Sequence, residues 1–273
     1  MESVADAFKG SIGSLMAVLP DICDKHSTEN KKVHMVKIIK TGEVMCPECY
    51  REQHIKPKLH AMEKEMITKK YRGYLRRYSL VDRKSTFDYS FDTFKYKTGS
   101  LEEQKYRDAR KIAGFYYKNP HKEGNSLLYG TAGSGKTHLA MAVLNAINTT
   151  SKNPMQKCLF LSIPALIRAM RNYIADPVTN EWSADYLHQV ESGADLVVID
   201  DLGAESASRE ATNFVQETIQ NIYEDNQRII TTTNLSMDQL KSTYHGRLIS
   251  RILEGSRGKM IDFGSVSDKR RLK

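Results

Sequence analysis

The chain has 273 residues, with 41 Lys and Arg against 33 Asp and Glu, so its formal net charge is +8. This length allows one good-sized core plus a small extra module. A basic surface favours polyanions, above all nucleic acid. No apolar run approaches the roughly 18–20 residues that cross a membrane, and the N-terminus lacks the features of a signal peptide. We therefore expect a cytoplasmic protein with no membrane partner and with reduced cysteines.

The first 20 residues carry apolar side chains at helical spacing and end at Pro20. This spacing predicts an amphipathic helix. Its apolar stripe is either core or a face that docks on a partner. The residues of the stripe are Phe8, Ile12, Leu15, Met16 and Leu19.

Two Cys/His pairs follow, each with two intervening residues. Four such ligands complete the tetrahedron that structural zinc prefers, and the residues Val33–Val44 between the pairs suit a hairpin. The alternative is two unrelated cysteine groups and a surface histidine. A module this small needs a metal to fold, which favours zinc. The predicted zinc ligands are Cys23, His26, Cys46 and Cys49.

The segment from Gln53 to Asp82 is strongly basic, with tyrosines between the lysines and arginines. It predicts a helical linker. Cations interleaved with aromatic rings suit single-stranded nucleic acid, whereas a solvated charged helix is the simpler alternative.

The stretch from Ser126 to Ile147 passes from an apolar run through Gly-x-x-x-x-Gly-Lys-Thr into an apolar helical segment. A strand, a glycine loop and a helix in this order predict a phosphate-binding loop. Backbone N–H groups and the helix N-terminus would bind the phosphates of ATP, Lys136 would reach the β- and γ-phosphates, and Thr137 would bind Mg²⁺. The predicted nucleotide-binding residues are Gly130, Thr131, Ala132, Gly133, Ser134, Gly135, Lys136, Thr137 and His138.

Four more strands are predicted after this loop, separated by helical patterns such as Pro164–Ala175 and Glu210–Glu224. Strands that alternate with helices indicate a mostly parallel sheet covered on both faces. Its ligand site should lie at the carboxyl ends of the strands. The four strands are Cys158–Ser162, Leu196–Ile199, Arg228–Thr232 and Lys259–Phe263.

Polar residues at the ends of these strands extend the predicted site. Asp200 follows a buried strand and is placed to hold Mg²⁺ beside Thr137. Asp201 is a candidate to orient or deprotonate the attacking water. Asn234 either contacts water or γ-phosphate, or caps a helix.

With these motifs the chain resembles the AAA+ ATPases of the DnaC/DnaI type, which load replicative helicases, and the related IstB-type transposition ATPases. The resemblance covers about residues 85–273 and is carried by five motifs in a specific order. They are Gly130–Leu139, Leu196–Gly203, Thr232-Thr-Asn234, Arg247-Leu-Ile-Ser-Arg251 and Asp268-Lys-Arg270. Many AAA+ proteins have Asp-Glu where this chain has Asp200-Asp201, so we expect slow or partner-stimulated hydrolysis.

The resemblance implies roles for further residues. Asn234 corresponds to the sensor-1 residue and Arg251 to an arginine finger that acts on a neighbouring subunit. Arg270 corresponds to the sensor-2 arginine, with Arg271 as its rival. The segment Ile163–Ser192 resembles an extra helix that faces single-stranded DNA in relatives, where Arg168 and Arg171 would be the contacts.

The resemblance also implies the domain organisation: a zinc module that docks on a DnaB-type helicase at 1–60, a basic linker at 61–84, and an AAA+ ATPase domain with a five-stranded parallel sheet at 85–273. IstB-type ATPases usually lack a zinc module, which favours a helicase loader that forms homo-oligomers on ATP and DNA. An IstB-like DNA-remodelling ATPase and a small-molecule kinase are the alternatives.

Overall fold

A computed structural model describes residues 15–207 and 212–266. The chain divides into two compact units, residues 1–67 and residues 68–273. The expected boundaries at residues 60 and 84 stay predictions. Among the described residues, no helix combines the length and apolar character that a bilayer crossing demands.

The first unit contains a three-stranded antiparallel sheet and two short helical turns before a long helix. Val36 pairs with Val18 and with Met45, and a turn at Thr41-Gly42 joins the second and third strands into the predicted hairpin. Gly42 has φ +74°, a conformation that suits glycine. The elements are β1 Met16–Ile22, β2 His34–Ile38, β3 Val44–Met45, α1 Pro47–Tyr50, a π-helical turn Arg51–Ile55 and α2 Lys56–Tyr78.

The prediction of a helix that ends at Pro20 is wrong for the part that the structure describes. Leu15 precedes β1, and Met16 and Leu19 lie within this strand, paired with β2. Pro20 falls where the register shifts between Val18 and Ile22, a place where its missing N–H costs no ladder hydrogen bond. Phe8 and Ile12 lie outside the described residues.

The second unit contains a five-stranded sheet in the order β5-β6-β7-β4-β8. All four strand pairings are parallel, as predicted. The strands are β4 Ser126–Tyr129, β5 Cys158–Ser162, β6 Leu196–Leu202, β7 Ile229–Thr233 and β8 Met260–Asp262. The helices are α3 Leu101–Lys118, α4 Lys136–Thr150, α5 Ile163–Ala175, α6 Ala184–Ser192, α7 Thr212–Asp225, α8 Met237–Thr243 and α9 Gly246–Leu253.

The second unit has three layers, with helices on both faces of the sheet. Side chains that alternate along β5 show this arrangement. Cys158 and Phe160 of β5 belong to one buried cluster, with α3 and α4, whereas Leu159 and Leu161 belong to a second cluster on the other side. Both faces of the strand are therefore apolar and covered, as in a doubly wound sheet. The carboxyl ends of the strands meet at one edge, where the candidate site lies.

Helices α6 and α7 are joined by a buried carboxylate. Glu191 is 1% exposed and accepts a hydrogen bond from Asn226 Nδ2. His188 Nδ1 lies 3.2 Å from Glu191 Oε1 and 3.2 Å from Asp225 Oδ2. Burial, together with the charge of Asp225, raises the pKa of Glu191 to about 7, although the hydrogen bond from Asn226 acts in the opposite direction.

We predict that Glu191→Gln changes how thermal stability depends on pH. Because the pKa of Glu191 is raised in the folded state, the folded protein holds a proton there that the unfolded chain releases above about pH 4.5. The contribution of this protonated carboxyl is lost as the pH rises through about 7. The Tm of the wild type should therefore fall relative to that of Glu191→Gln between pH 5 and pH 8. Glu217→Gln, an exposed change on α7, is the control, and parallel curves for all three proteins would contradict the prediction.

Candidate functional site

The glycine loop between β4 and α4 has the backbone geometry that a phosphate-binding loop requires. Gly130 has φ +111°, and a Cβ atom there would lie 2.6 Å from the backbone nitrogen of Gly264. Gly135 has φ +99° and precedes the first residue of α4, and its Cβ would lie 2.8 Å from Phe94 Cε2. A side chain at either position meets both a strained φ and a steric clash, so both positions require glycine.

Lys136, the first residue of α4, has a buried side chain with 4% exposure. Its Nζ donates to the carbonyl oxygen of Gly130 at 2.9 Å, to that of Thr131 at 2.7 Å and to Oδ1 of Asn234 at 2.8 Å. An ammonium buried in this way needs such oxygen partners, because desolvation of its charge is costly. These contacts join the loop after β4 to the end of β7.

Asp200 and Thr137 lie together beside this lysine. Asp200 is 2% exposed, its Oδ1 accepts from Thr232 Oγ1 at 2.6 Å, and its carboxylate is hydrogen-bonded to the Thr137 side chain. Burial, followed by the charge of Asp201, raises the pKa of Asp200 to about 7. A hydroxyl and a carboxylate at this place form an oxygen donor set that suits Mg²⁺, whose charge would favour the ionised carboxylate.

Asp201 and Asn234 form the other side of the site. Asp201 has φ +57°, a left-handed conformation that is uncommon outside glycine. Its N–H donates to Thr232 Oγ1 at 3.0 Å, and its Oδ1 accepts from Asn234 Nδ2 at 3.2 Å. Asn234 thus contacts both Lys136 and Asp201. The structure supports a role of Asn234 in the site geometry rather than as a helix cap, because Ser236 caps α8.

A cavity of about 630 Å³ is lined by six of the nine predicted nucleotide-binding residues, by Asp200, Asp201 and Asn234, and by further residues. Its lining includes residues that sequence reasoning did not assign to the site. These residues come from the end of the basic segment, from the stretch that follows it and from β5, and nothing in their spacing indicates a ligand. The additional lining residues are Asp82, Arg83, Thr86, Tyr89 and Phe160.

Two predicted nucleotide-binding residues contact the protein itself. The His138 ring stacks on Tyr89 with centroids 4.4 Å apart, and its Nε2 lies 3.0 Å from the carbonyl oxygen of Ser90. Thr131 Oγ1 donates to the carbonyl oxygen of Gly264 at 3.0 Å. The segment before α3 and the residues after β8 therefore fix the ends of the loop.

Among the described residues, the arginines predicted to contact DNA or phosphate lie apart from one another on α5 and α9. Arg168 Nη2 lies 2.6 Å from Oδ1 of Asp82, which lines the nucleotide cavity. Arg251 lies on α9, with its side chain 42% exposed and its Nη1 3.0 Å from Glu254 Oε2. Arg171 is exposed on α5. Arg270 and Arg271 lie outside the described residues.

The predicted metal ligands of the first unit converge. The Nδ1 atom of His26 lies 3.6 Å from Cys23 Sγ, 3.6 Å from Cys46 Sγ and 3.4 Å from Cys49 Sγ, and the sulfurs of Cys23 and Cys49 are 3.8 Å apart. Tetrahedral zinc with bonds of about 2.3 Å to sulfur and about 2.0 Å to nitrogen gives edges of about 3.8 Å and about 3.5 Å. The four donors therefore fit a structural zinc ion.

A carboxylate supports the histidine of this Cys₃His cluster. His26 Nε2, the ring nitrogen that faces away from the sulfurs, lies 3.1 Å from Glu52 Oε2. Histidines that bind metals commonly donate their second N–H to a carboxylate, which fixes the tautomer. Lys25 Nζ lies 2.7 Å from the same oxygen, and the two hydrogen bonds lower the pKa of Glu52 to about 2. Sequence reasoning missed Glu52 although it follows Cys49 by only three residues, because its contact with His26 forms only in the folded module.

Comparison with known proteins agrees with this geometry. A family model described as the bacterial DnaA ATPase domain matches residues 86–258, which is more than half of the chain. The chain belongs to the bacterial DnaA ATPase-domain family. The second unit is accordingly an AAA+ ATPase domain of a type found in replication initiation.

Curated relatives and a solved structure extend this assignment. The chromosomal replication initiator protein DnaA of Thermosipho melanesiensis is 30% identical over 148 residues, 54% of this chain and 31% of that protein. DnaA of Borrelia duttonii is 24% identical over 235 residues, 84% of this chain and 44% of that protein. The chain thus spans less than half the length of these relatives. The crystal structure of the DnaC helicase loader shares the fold, with a TM-score of 0.51 and 22% identity over 66% of this chain and 99% of that one.

For the ATPase domain, we predict that Lys136→Ala abolishes ATP binding. The variant loses a charge-assisted contact to phosphate in a partly desolvated site, at a cost of roughly 2–4 kcal/mol, or about 30- to 1000-fold in affinity. Titration calorimetry measures this loss directly. Lys241→Ala, an exposed change on α8, is the matched control. Equal ATP affinity in the two variants would show that the loop does not bind phosphate.

For the Cys₃His cluster, we predict that Cys46→Ser loses zinc and unfolds residues 15–67 but leaves ATP binding intact. Zinc supplies much of the folding free energy of so small a module. Cys158→Ala, a change of the cysteine buried in β5, should retain one zinc per chain. Elemental analysis checks both variants, and a wild type that is purified without chelator and contains no zinc would refute the assignment.

Proposed function

We propose that this protein is an ATP-dependent helicase loader, which binds a DnaB-type ring helicase and delivers it onto single-stranded DNA. The observation that carries the proposal is the pairing of a nucleotide site of the DnaA ATPase family with a Cys₃His module in one chain. An ATPase domain supplies a switch, and a separate module supplies a place for a partner to dock. A function as a replication initiator, without helicase loading, would leave the Cys₃His module of the first unit without a role.

In the proposed reaction, Mg-ATP would bind at the carboxyl edge of the sheet. Lys136 would exchange its carbonyl partners for the β- and γ-phosphates, and Thr137 and Asp200 would be the ligands of Mg²⁺. Asn234 and Asp201 position the attacking water, with Asp201 as the candidate base. The Asp201 side chain is shorter than the Glu found in many AAA+ proteins, so hydrolysis should be slow until a partner completes the site.

We propose that a neighbouring copy of this chain supplies the residue that completes the catalytic site. Arg251 lies on the surface rather than in its own nucleotide cavity, and its partner Glu254 is 56% exposed, so the guanidinium can leave that ion pair at little cost. We assign Arg251 as a finger that acts on the ATP of an adjacent subunit. Arg270 is proposed as the sensor-2 arginine of the same site.

DNA contact is assigned to α5. Arg168 and Arg171 are one turn apart, and both side chains lie towards solvent on this helix. The Arg168–Asp82 ion pair connects α5 to the wall of the nucleotide cavity, so nucleotide binding and DNA binding can influence each other. Homo-oligomers on ATP and single-stranded DNA would place several such helices along the strand.

A loading assay tests the proposed function. A purified DnaB-type helicase from the same genome is incubated with this protein, ATP and closed circular single-stranded DNA, and the helicase retained on the circles is measured. We expect retention with the wild type and none with Lys136→Ala. Helicase recovered equally with and without the protein would overturn the proposal. Binding and opening of duplex DNA in the absence of helicase would instead indicate an initiator.

We predict that Arg251→Ala binds ATP almost normally but fails to hydrolyse it, because arginine fingers contribute ~10³–10⁵ in rate. A mixture of Arg251→Ala with Asp200→Asn should regain part of the ATPase activity. At some interfaces, the intact nucleotide site of the Arg251→Ala subunit would receive the intact Arg251 of the Asp200→Asn subunit. Arg257→Ala, an exposed change after α9, serves as the control that needs no complementation. A mixture no more active than the sum of its parts would show that Arg251 does not act between subunits.

A further inference from the structure

The first three turns of α2 lie in solvent. Every residue from 53 to 67 is exposed. Five of them are nevertheless large and apolar. Four form one row along the helix, with Ile55 41% exposed, Leu59 52%, Met62 60% and Met66 69%, and the fifth, Ile67, is 49% exposed beside that row. Isolated helices of this length are marginal in water, and their stability comes mainly from burying an apolar face. An uncovered apolar row on such a helix indicates an interaction surface.

The spacing of this row identifies the kind of partner. The intervals are four, three and four residues, which is the alternation of the a and d positions in a coiled coil. Leu59 and Met66 then occupy a, and Ile55 and Met62 occupy d. The row therefore suits another helix that lies nearly parallel or antiparallel to it.

The charged residues beside the row favour a second copy of the same helix. Lys56 and Glu63 fall at e positions, and Lys58 and Glu65 fall at g positions. In an antiparallel pair, e faces e and g faces g of the partner. Lys56 then meets Glu63 of the other copy and Lys58 meets Glu65, which gives four attractive pairs over the two copies. Within the apolar row, a parallel pair would bring only Lys58 and Glu63 together, which gives two pairs. A parallel contact of Glu65 with Lys70 would lie beyond the last apolar residue of the row.

We propose that two copies of this chain associate through an antiparallel coiled coil of the helical segment 55–66, which contains the last residue of the π-helical turn and the start of α2. Ile55 packs against Met66 of the other copy, and Leu59 packs against Met62, around a twofold axis between residues 60 and 61. Lys56 already forms an ion pair with Glu52, in which Nζ and Oε1 are 3.7 Å apart and the side chains are 59% and 34% exposed. Such an exposed pair contributes little, so Lys56 can contact Glu63 of the other copy instead at little cost in free energy. The proposal does not depend on the loader function, because it concerns the nucleotide-free chain.

Sedimentation equilibrium of the full chain tests this surface, without nucleotide or DNA and with zinc retained. We expect a concentration-dependent equilibrium between the 31.1 kDa monomer and a dimer, with a Kd of about micromolar order for so short a coil. Lys56→Glu with Lys58→Glu should weaken the dimer by about tenfold or more, and so should Glu63→Lys with Glu65→Lys. The quadruple variant should restore it.

The charge swaps separate specific pairing from general electrostatics. The first double variant lowers the formal net charge from +8 to +4, the second raises it to +12, and the quadruple variant returns it to +8. General repulsion between copies would make the first variant associate more strongly, whereas e/g pairing makes both double variants weaker. Circular dichroism and zinc content show whether each variant is folded.

Disulfide trapping fixes the orientation. When equal amounts of Ile55→Cys and Met66→Cys are mixed and oxidised, we expect mixed disulfides, and little bridging in either variant alone. Bridging of Ile55→Cys to itself would overturn the antiparallel arrangement. A wild type that remains monomeric at all concentrations would overturn self-association, and so would a quadruple variant that does not regain the dimer. The apolar row would then be a surface for residues 1–14 or for a different protein.

Discussion

The arrangement of the ATPase domain depends on one buried ammonium. Lys136 is almost fully withdrawn from water, and its three oxygen partners come from the loop after β4 and from Asn234 at the end of β7. A charge in that position is tolerable only when it has partners, which holds the glycine loop against the neighbouring strand. Phosphate oxygens are better partners than carbonyls for an ammonium, because they are charged. The same contacts that order the loop in the absence of ligand therefore prepare it for nucleotide.

The parallel sheet makes this contact possible. Since β4, β6 and β7 are neighbours that run in the same direction, their carboxyl ends bring Lys136, Asp200 and Asn234 to one edge. Burial raises the pKa of Asp200, so that protonation and cation binding compete for its carboxylate near neutral pH. Divalent magnesium beside Thr137 would favour the ionised form. The fold thus supplies both the anion-binding and the cation-binding part of the site.

Much of this site could be predicted from the sequence, because its signals are local. The glycine loop fixes its own backbone through φ angles that favour glycine, and four apolar β-formers before Asp200 place the carboxylate near the carboxyl end of β6. The positions of the strands and helices follow from periodicity in the same way. Glycine spacing and strand ends therefore carry most of the information about the nucleotide site.

The features that sequence reasoning missed depend on contacts between distant segments. Pairing with β2 makes Met16–Ile22 a strand, although the apolar spacing there is helical. The Tyr74 hydroxyl donates to the carbonyl oxygen of Val190, 116 residues away, so an aromatic residue that suggested nucleic acid serves the core. Arg168 finds Asp82 across 86 residues. No local sequence pattern predicts such contacts, because the two residues come together only in the folded chain.

Hydrogen exchange with and without Mg-ATP tests whether nucleotide replaces the carbonyl partners of Lys136 in the glycine loop. We expect the backbone amides of residues 130–137 to exchange more slowly once ATP is bound, because they would donate to phosphate oxygens. The exchange rates of amides near Asn234 should change as its side chain loses Lys136, whereas those of β1 and β2 should stay the same. ATP binding with no slowing at residues 130–137 would show that the glycine loop does not hold the phosphates.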